Sequence, residues 1–516
     1  MAVNTFGAID VGSDEITLTI AECSVKKGIR IIDQVTHRIN LGTDTFQTGK
    51  ISYRHVAELK RLLAEYRRIM DNYGVTDYKA YGTSAIREMV NRTVVLSEIE
   101  QQTGIHIDTL SNSEQRFLDY KSIAAKGEGF ARIIEKGTAI VDIGGSSIQI
   151  SLFDKDRLVT TQNMKLGVLR LHDQMHNIDA GANRRDYIIE ELVNSQLRVF
   201  TNLYLQDGRI PNIIIVDDYI SPVVQKREIS GKETPGYIGS AEFLAFMDMA
   251  HGMNPQDLAA RLGIPDDNIP LFYLSGVLIR CIVRAFGTEL LWAPGVTLCD
   301  GMIYEYAEAH RFIPPTHDFE EDIIACAENI ARRYMGLRER REAMQNIALK
   351  IFDSTTKYHG LGRRERLLLR IAAILHDCGK YISMTGAAEC GYNIILSTEI
   401  IGLSHVEREI VANVVRFNHT SFIYYSDPNL VTDLDSRAYL VIAKLTAILR
   451  IANGLDRSHT QKFNDVRIRV ADDRMNILVG SDQDLTMEKG LFDRRADFFE
   501  EIFGIRPVIR QSKGKV

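Results

Sequence analysis

Two short segments of the same construction constrain this chain more than anything else in it. The first reads Phe6-Gly7-Ala8-Ile9-Asp10-Val11-Gly12-Ser13, and the second Ala139-Ile140-Val141-Asp142-Ile143-Gly144-Gly145-Ser146-Ser147. In each, an apolar run ends in aspartate and turns through glycine into a second β-like run, residues 16–21 and 148–153. Glycine lets a backbone approach an anion closely, and successive N–H groups form a nest for phosphate oxygens. An aspartate at the strand end can hold a divalent cation or a water beside those oxygens. The repetition predicts two related α/β lobes that close on a phosphate chain from both sides.

The surrounding pattern agrees with a duplicated unit. Residues 7–11, 16–21, 28–36 and 79–83 read as strands, and residues 56–73 carry Val56, Leu59, Leu62, Leu63, Tyr66, Ile69 and Met70 at helical spacing. Thr83-Ser84 reads as the cap of a helix starting near Ala85. The theme returns with strands at 138–142, 148–153 and 213–216, and helices dominate from 241 to 286. After Pro314-Pro315 the periodicity becomes helical, most clearly at 323–333, 338–352, 364–378, 404–417 and 438–455. Residues 466–470 and 475–479 then alternate as a hairpin, followed by a helix at 497–503. Four units are expected: lobes at 1–124 and 125–310, a helical domain at 311–460, and a small α+β domain at 461–516.

Composition excludes several classes of partner. A length of 516 residues allows roughly two to four domains, each with its own core. The net charge of −6 opposes bulk attraction to DNA or to an anionic membrane. Cys23, Cys281, Cys299, Cys326, Cys378 and Cys390 form no Cys-x-x-Cys pair and read as reduced thiols. The strand pattern begins too early for a signal peptide, and no uninterrupted apolar run has the length of a membrane span. A cytoplasmic protein is expected.

Further landmarks follow in order: Gly82-Thr83-Ser84-Ala85-Ile86-Arg87, Lys165-Leu166-Gly167-Val168-Leu169-Arg170-Leu171, Asp300-Gly301, Leu375-His376-Asp377-Cys378-Gly379 and Leu449-Arg450-Ile451-Ala452. With the two glycine turns, these make the whole chain resemble the Ppx/GppA family of exopolyphosphatases and guanosine pentaphosphate phosphohydrolases. That family lies in the acetate-kinase, sugar-kinase and actin-like (ASKHA) superfamily. The resemblance implies two ribonuclease-H-like lobes, an all-α HD-like domain and a small α+β cap. It implies release of terminal phosphate from polyphosphate or guanosine pentaphosphate in the inter-lobe cleft, a magnesium ion, and a homodimer. Carried over by position, Asp10 and Asp142 become metal ligands, and Gly12, Ser13, Gly144, Gly145, Ser146 and Ser147 phosphate-binding residues. Asp142 and Arg87 join the catalytic group, Arg87 offering a planar fork to phosphate oxygens, and Glu114, one residue from the family's base position, is the candidate to complete it.

The chain also departs from that pattern. The water-activating glutamate of the family falls on Gln115, within Ser111-Asn112-Ser113-Glu114-Gln115-Arg116, and a second family carboxylate falls on Gln149. An amide accepts no proton at neutral pH. Asp14 and Glu15 stand in the first turn, where the family has neutral residues. Either Glu114, Asp14 or Glu15 takes over proton abstraction and the chain is a phosphohydrolase, or the cleft binds polyphosphate or a guanosine polyphosphate as a sensor. In the helical domain, Asp456, His405 and His419 accompany the His376-Asp377 dyad without completing a metal cluster, which predicts a structural dyad. Arg332, Arg333, Arg338, Arg340, Arg341, Arg363, Arg364, Arg366 and Arg370 form either a solvated helical face or an electropositive lining.

Overall fold

The first glycine segment folds as β1 (Asn4–Val11), hydrogen-bonded antiparallel to β2 (Glu15–Ser24), which pairs with β3 (Gly28–Arg38). β4 (Asp77–Gly82) joins β1 in parallel and β5 (Asp108–Thr109) joins β4, giving a five-stranded sheet of order β3-β2-β1-β4-β5. The second segment repeats the arrangement with β6 (Thr138–Ile143), β7 (Ile148–Asp154) and β8 (Arg157–Met164), and β9 (Asn212–Asp217) lies parallel to β6. With β10 (Tyr237–Gly239) and β11 (Leu290–Trp292) this sheet has six strands, ordered β10-β11-β9-β6-β7-β8. The computed structural model describes residues 3–154, 157–176, 182–205, 208–226, 235–428, 430–471, 473–480 and 483–512. Two compact units result, Met1–Asp318 with both of these sheets, and Phe319–Val516.

A parallel β1–β4 pair needs a crossover, and the helix Tyr53–Asn72 lies in it. Ser52 caps it by accepting from the His55 N–H, and the buried face is Val56, Leu59, Leu62, Leu63, Tyr66 and Met70. Each such aliphatic side chain contributes about 1.5–3 kcal/mol on burial. The Tyr66 hydroxyl donates to the carbonyls of Ile16 (2.8 Å) and Val35 (3.1 Å), fixing the helix against the sheet. The helix at Ala85 is short, Ser84–Glu88, and its cap differs from expectation. Thr83 makes no side-chain cap bond; the Ala85 N–H is instead accepted by the Ser13 hydroxyl (3.2 Å).

The expected lobe boundary at residue 310 does not describe the packing. The helix Leu298–Ala309 lies on the first sheet, where Leu298, Cys299, Met302, Ile303, Tyr306 and Ala307 share a core with Phe6, Ala8, Ala21 and Cys23. The chain therefore completes the first lobe only after the second has been built. Among the described residues, two helices, Asp266–Phe286 and Ser436–Leu455, are long and apolar enough to cross a bilayer, yet most of their apolar stretch is buried within the protein. The cysteines are free thiols.

In the second unit the helices Phe319–Arg333, Arg338–Ser354, Arg363–Leu375, Ala387–Ser397, His405–Phe417 and Ser436–Leu455 precede a small sheet. β12 (Arg467–Ala471) and β13 (Arg474–Gly480) form the expected hairpin, and β14 (Arg506–Ser512) adds a parallel third strand after the helix Asp493–Phe503. The arginines of this unit are engaged locally. Arg363 pairs with Glu320, Arg364 with Glu407, Arg366 with Asp353, Arg370 with Glu321, Arg338 with Glu342 and Arg341 with Glu328. Charge paired with neighbouring carboxylates is not a positive lining; Arg338, Arg363, Arg364, Arg366 and Arg370 make a solvated face, whereas Arg340 and Arg341 are buried.

Candidate active site

β1 and β6 end on Val11 and Ile143, one residue past Asp10 and Asp142, and both turns close with the same hydrogen bond. The Gly12 N–H donates to the Glu15 carbonyl (2.9 Å), and the Gly144 N–H to the Ser147 carbonyl (3.0 Å). The turns meet tip to tip: a Cβ on Gly145 would lie 3.5 Å from the Ser13 Cβ and 2.9 Å from Leu169 Cδ1, so a side chain there would have to displace Leu169. The second turn is clamped from behind by the Lys165–Leu171 motif. Val168 N–H donates to the Gly144 carbonyl (3.1 Å), Arg170 N–H to Gly145 (3.0 Å), and Arg170 Nε to Ser146 (3.0 Å). A Cβ on Gly167 would collide with the backbone of residues 145–147. Arg170 also reaches Glu88 in the other lobe (2.8 Å).

Between the turns is a cavity of about 140 Å³. Pockets that take a whole drug-sized ligand run about 300–1,000 Å³, so this one admits the end of a phosphate chain. Asp10, Gly12, Ser13, Arg87, Asp142, Gly144, Gly145 and Ser146 all line it, as the motifs predict, together with Asp14, Glu15 and Gln115. Arg87 donates through Nη1 to the Leu110 carbonyl (2.8 Å) and the Gln115 amide oxygen (3.4 Å), so Gln115 orients a guanidinium. The Ser13 hydroxyl is bonded to Ser84 (2.7 Å) and acts as scaffold.

Two expected residues are not at the pocket. Glu114 closes a capping box at the start of the helix Asn112–Ala124, accepting from the Ser111 N–H (3.0 Å) while its own N–H donates to the Ser111 hydroxyl (3.2 Å). On a helix one residue is about 100° of rotation, so Gln115 faces the pocket and Glu114 does not. Ser147 contributes its carbonyl to the turn and does not line the cavity.

The helix carries side chains that motif reading missed. Arg116, only 7% exposed, donates through Nη1 to Asp142 Oδ2 and lies 3.7 Å from Asp119 Oδ2. Burial and the nearby Asp142 push the Asp119 carboxyl well above its usual range against the pull of Arg116. Asp217 and Asp218, at the end of β9, also line the pocket. Asp217 accepts from the N–H groups of Tyr219 (2.8 Å) and Ile220 and from the Ser275 hydroxyl (2.6 Å); burial pushes the Asp218 carboxyl up. Their one sequence signal is a third strand ending in aspartate.

A divalent cation fits one side of this site. Asp10 Oδ1 is buried without a hydrogen-bond partner, and burial with the charge of Glu15 pushes the Asp10 carboxyl up to about 7. A cation there would relieve both costs. Asp142 does not fit the metal role expected of it, because the Arg116 guanidinium already holds its carboxylate. Among the described residues, no group of three or more His, Cys, Asp or Glu side chains is set to hold a metal.

Residues 19–310 match the Ppx/GppA phosphatase family, and residues 324–496 match Ppx/GppA phosphatase, domain III. The chain belongs to the Ppx/GppA family. It is similar to a guanosine-5'-triphosphate,3'-diphosphate pyrophosphatase of Photobacterium profundum, 18% identical over 465 residues and 86% of each chain. Exopolyphosphatase 1 of Mycobacterium leprae is 22% identical over 306 residues, 58% of this chain and 88% of its own. The crystal structure of an exopolyphosphatase from Cytophaga hutchinsonii has a TM-score of 0.52 at 17% identity, covering 59% of this chain and 98% of that one. That likeness carries the fold, the two-lobed actin-like α/β arrangement.

The His376-Asp377 dyad of the Ppx/GppA domain III surrounds an arginine. Arg340 Nε donates to His376 Nε2 (3.0 Å) and lies 2.8 Å from Asp377 Oδ2, while Nη2 donates to Asn453 Oδ1 (3.2 Å). His376 Nδ1 is bonded to the Ala373 carbonyl (2.7 Å) and Lys380 pairs with Asp377 (2.8 Å). His419 Nε2 reaches the His376 carbonyl (3.0 Å), whereas His405 is exposed. A guanidinium fills the centre of the dyad.

Proposed function

We propose that this chain is a phosphohydrolase that releases terminal phosphate from inorganic polyphosphate or guanosine pentaphosphate. The observation that carries the reading is the pair of identically closed glycine turns, Gly12 to Glu15 and Gly144 to Ser147, bounding one cavity lined by two guanidinium groups. Phosphoryl transfer depends chiefly on positioning and charge stabilisation. The terminal phosphoryl group sits between the turns, with the forks of Arg87 and Arg116 on its oxygens. Gln115 holds Arg87 and moves no proton. Glu15, which lines the pocket and whose carboxyl is raised by burial and by Asp14, takes the proton from the attacking water. Magnesium, when bound, would be held by Asp10 and would neutralise charge on the departing phosphate oxygens.

The family resemblance further supports an HD-like character for the helical domain and a cytoplasmic homodimer, and it leaves both polymer and nucleotide as substrates. The cavity, which admits only the end of a chain, is compatible with either substrate.

Phosphate release from long-chain polyphosphate and from guanosine pentaphosphate, with magnesium, tests the reading. Glu15→Gln is expected to slow release by about 100-fold or more, and Glu114→Gln to leave it within about twofold because glutamine also serves in a capping box. Release from neither substrate, with binding retained, would replace the hydrolase by a binding protein. Loss of release in Glu114→Gln would return the base to that residue.

A further inference from the structure

Asp142 needs a positive charge, and the chain supplies one. Its carboxylate is 6% exposed, and its contacts include the Nη1 of Arg116, a residue 93% removed from solvent by its 7% exposure. A carboxylate in that position without a cation would cost several kcal/mol. The guanidinium is not fully consumed by the pair. Arg116 Nε is buried with no hydrogen-bond partner, and Nη2 lies against Gly144, 3.1 Å from where a Cβ would stand there. Nη2 thus lies at the base of the second glycine turn, and Arg116 lines the cavity. Across β7, directly opposite Asp142 in register, Gln149 is 2% exposed and neither of its amide atoms has a partner. This neutral neighbour adds no charge to repel an anion and leaves Arg116 to balance Asp142.

The geometry points to Arg116 as a phosphate-binding residue that stands where a second cation would otherwise be needed, so that phosphate binding at this pocket does not require a divalent ion. The inference rests on the phosphate reading of the site and divides it. Arg116 and Arg87 bind, and magnesium at Asp10 serves turnover alone. Arginine suits the task because its planar fork engages a carboxylate and a phosphoryl oxygen together and keeps its charge at any working pH.

Calorimetric titration with inorganic tripolyphosphate tests this, on the full chain, in EDTA and again in magnesium chloride. The wild-type protein is expected to bind in EDTA with an affinity within about tenfold of that in magnesium, while phosphate release occurs only with magnesium. Arg116→Ala should weaken binding in EDTA by about 10- to 100-fold, with magnesium restoring part of the loss as Asp142 becomes free to hold it. Arg116→Lys keeps the charge without the fork and should fall between the two. Thermal melting of each variant separates loss of binding from loss of fold, and the wild-type comparison stands without either variant. Wild-type binding that appears only with magnesium would overturn the inference and leave the proposed function intact. No binding under either condition would remove the phosphate reading itself.

Discussion

Glu114 and Gln115 differ by one position and by a quarter turn of helix, and that rotation decides which of them meets a ligand. Glu114 is spent on Ser111 at the start of its helix, and Gln115 aims an arginine. Ser111→Ala should therefore lower the stability of the first unit by about 1 kcal/mol in urea unfolding. If Ser111→Ala were neutral, the capping-box role would be wrong. Arg87 and Arg116 divide the positive charge of the pocket, one steered by an amide and one bonded to Asp142. The carboxylates around them are buried and crowded: burial and then Glu15 raise Asp10, and burial and then Asp14 raise Glu15. Such crowding at a cleft is common at functional sites, where charge arrives with the ligand.

At the level of elements, the segment behind the second turn explains a motif whose purpose the chain order conceals. Of residues 165–171 Leu169 alone lines the cavity, with an apolar side chain, yet the segment holds three consecutive carbonyls of the turn. Gly167→Ala should displace that turn, at a cost of about 1–3 kcal/mol of overpacking, and weaken tripolyphosphate binding together with the melting temperature. Unchanged binding would show that the turn tolerates the shift. The helix Asn112–Ala124 was illegible for a related reason. Ser113, Arg116, Leu118, Asp119, Tyr120, Lys121, Ser122, Ile123 and Ala124 are all buried, so its faces are covered on nearly every side. A helix packed all round shows no apolar stripe, and periodicity has nothing to detect. Tyr53–Asn72, covered on one face only, was legible almost to its ends.

At the level of the whole molecule, the two units carry separate polar interiors. In the helical unit, Asp377 is raised by burial, but His376, Arg340 and Lys380 outweigh that and hold its carboxyl well below the ordinary 3.8. A group depressed in the folded state stabilises fully above its unfolded value, and that stabilisation is lost as pH falls through the folded value. Unfolding curves should therefore weaken below about pH 4, and Asp377→Asn should flatten that dependence. The same variant leaves Arg340 buried without its carboxylate and should cost about 3 kcal/mol at neutral pH. Tripolyphosphate binding by the first unit should be unaffected. A pH profile identical to the wild type would remove Asp377 as its source. The first unit has its own long-range closure: Cys299 lies under β1, with its thiol 3.6 Å from the Ala8 carbonyl, because the helix Leu298–Ala309 returns to the first sheet.

The amino-acid sequence by itself determined the two glycine turns, the strands that flank them, the one-sided helices and the family. Each is written in a few consecutive residues, as a backbone demand at glycine or a period of burial. Tertiary structure alone decided that Arg116 neutralises Asp142, that Ser13 caps a helix begun at Ser84, that Arg340 fills the His376-Asp377 dyad, and that residues 298–309 complete the first lobe. Those pairings join residues far apart in the chain. Their energy comes from burying charge and polar groups together, which no local stretch of sequence records.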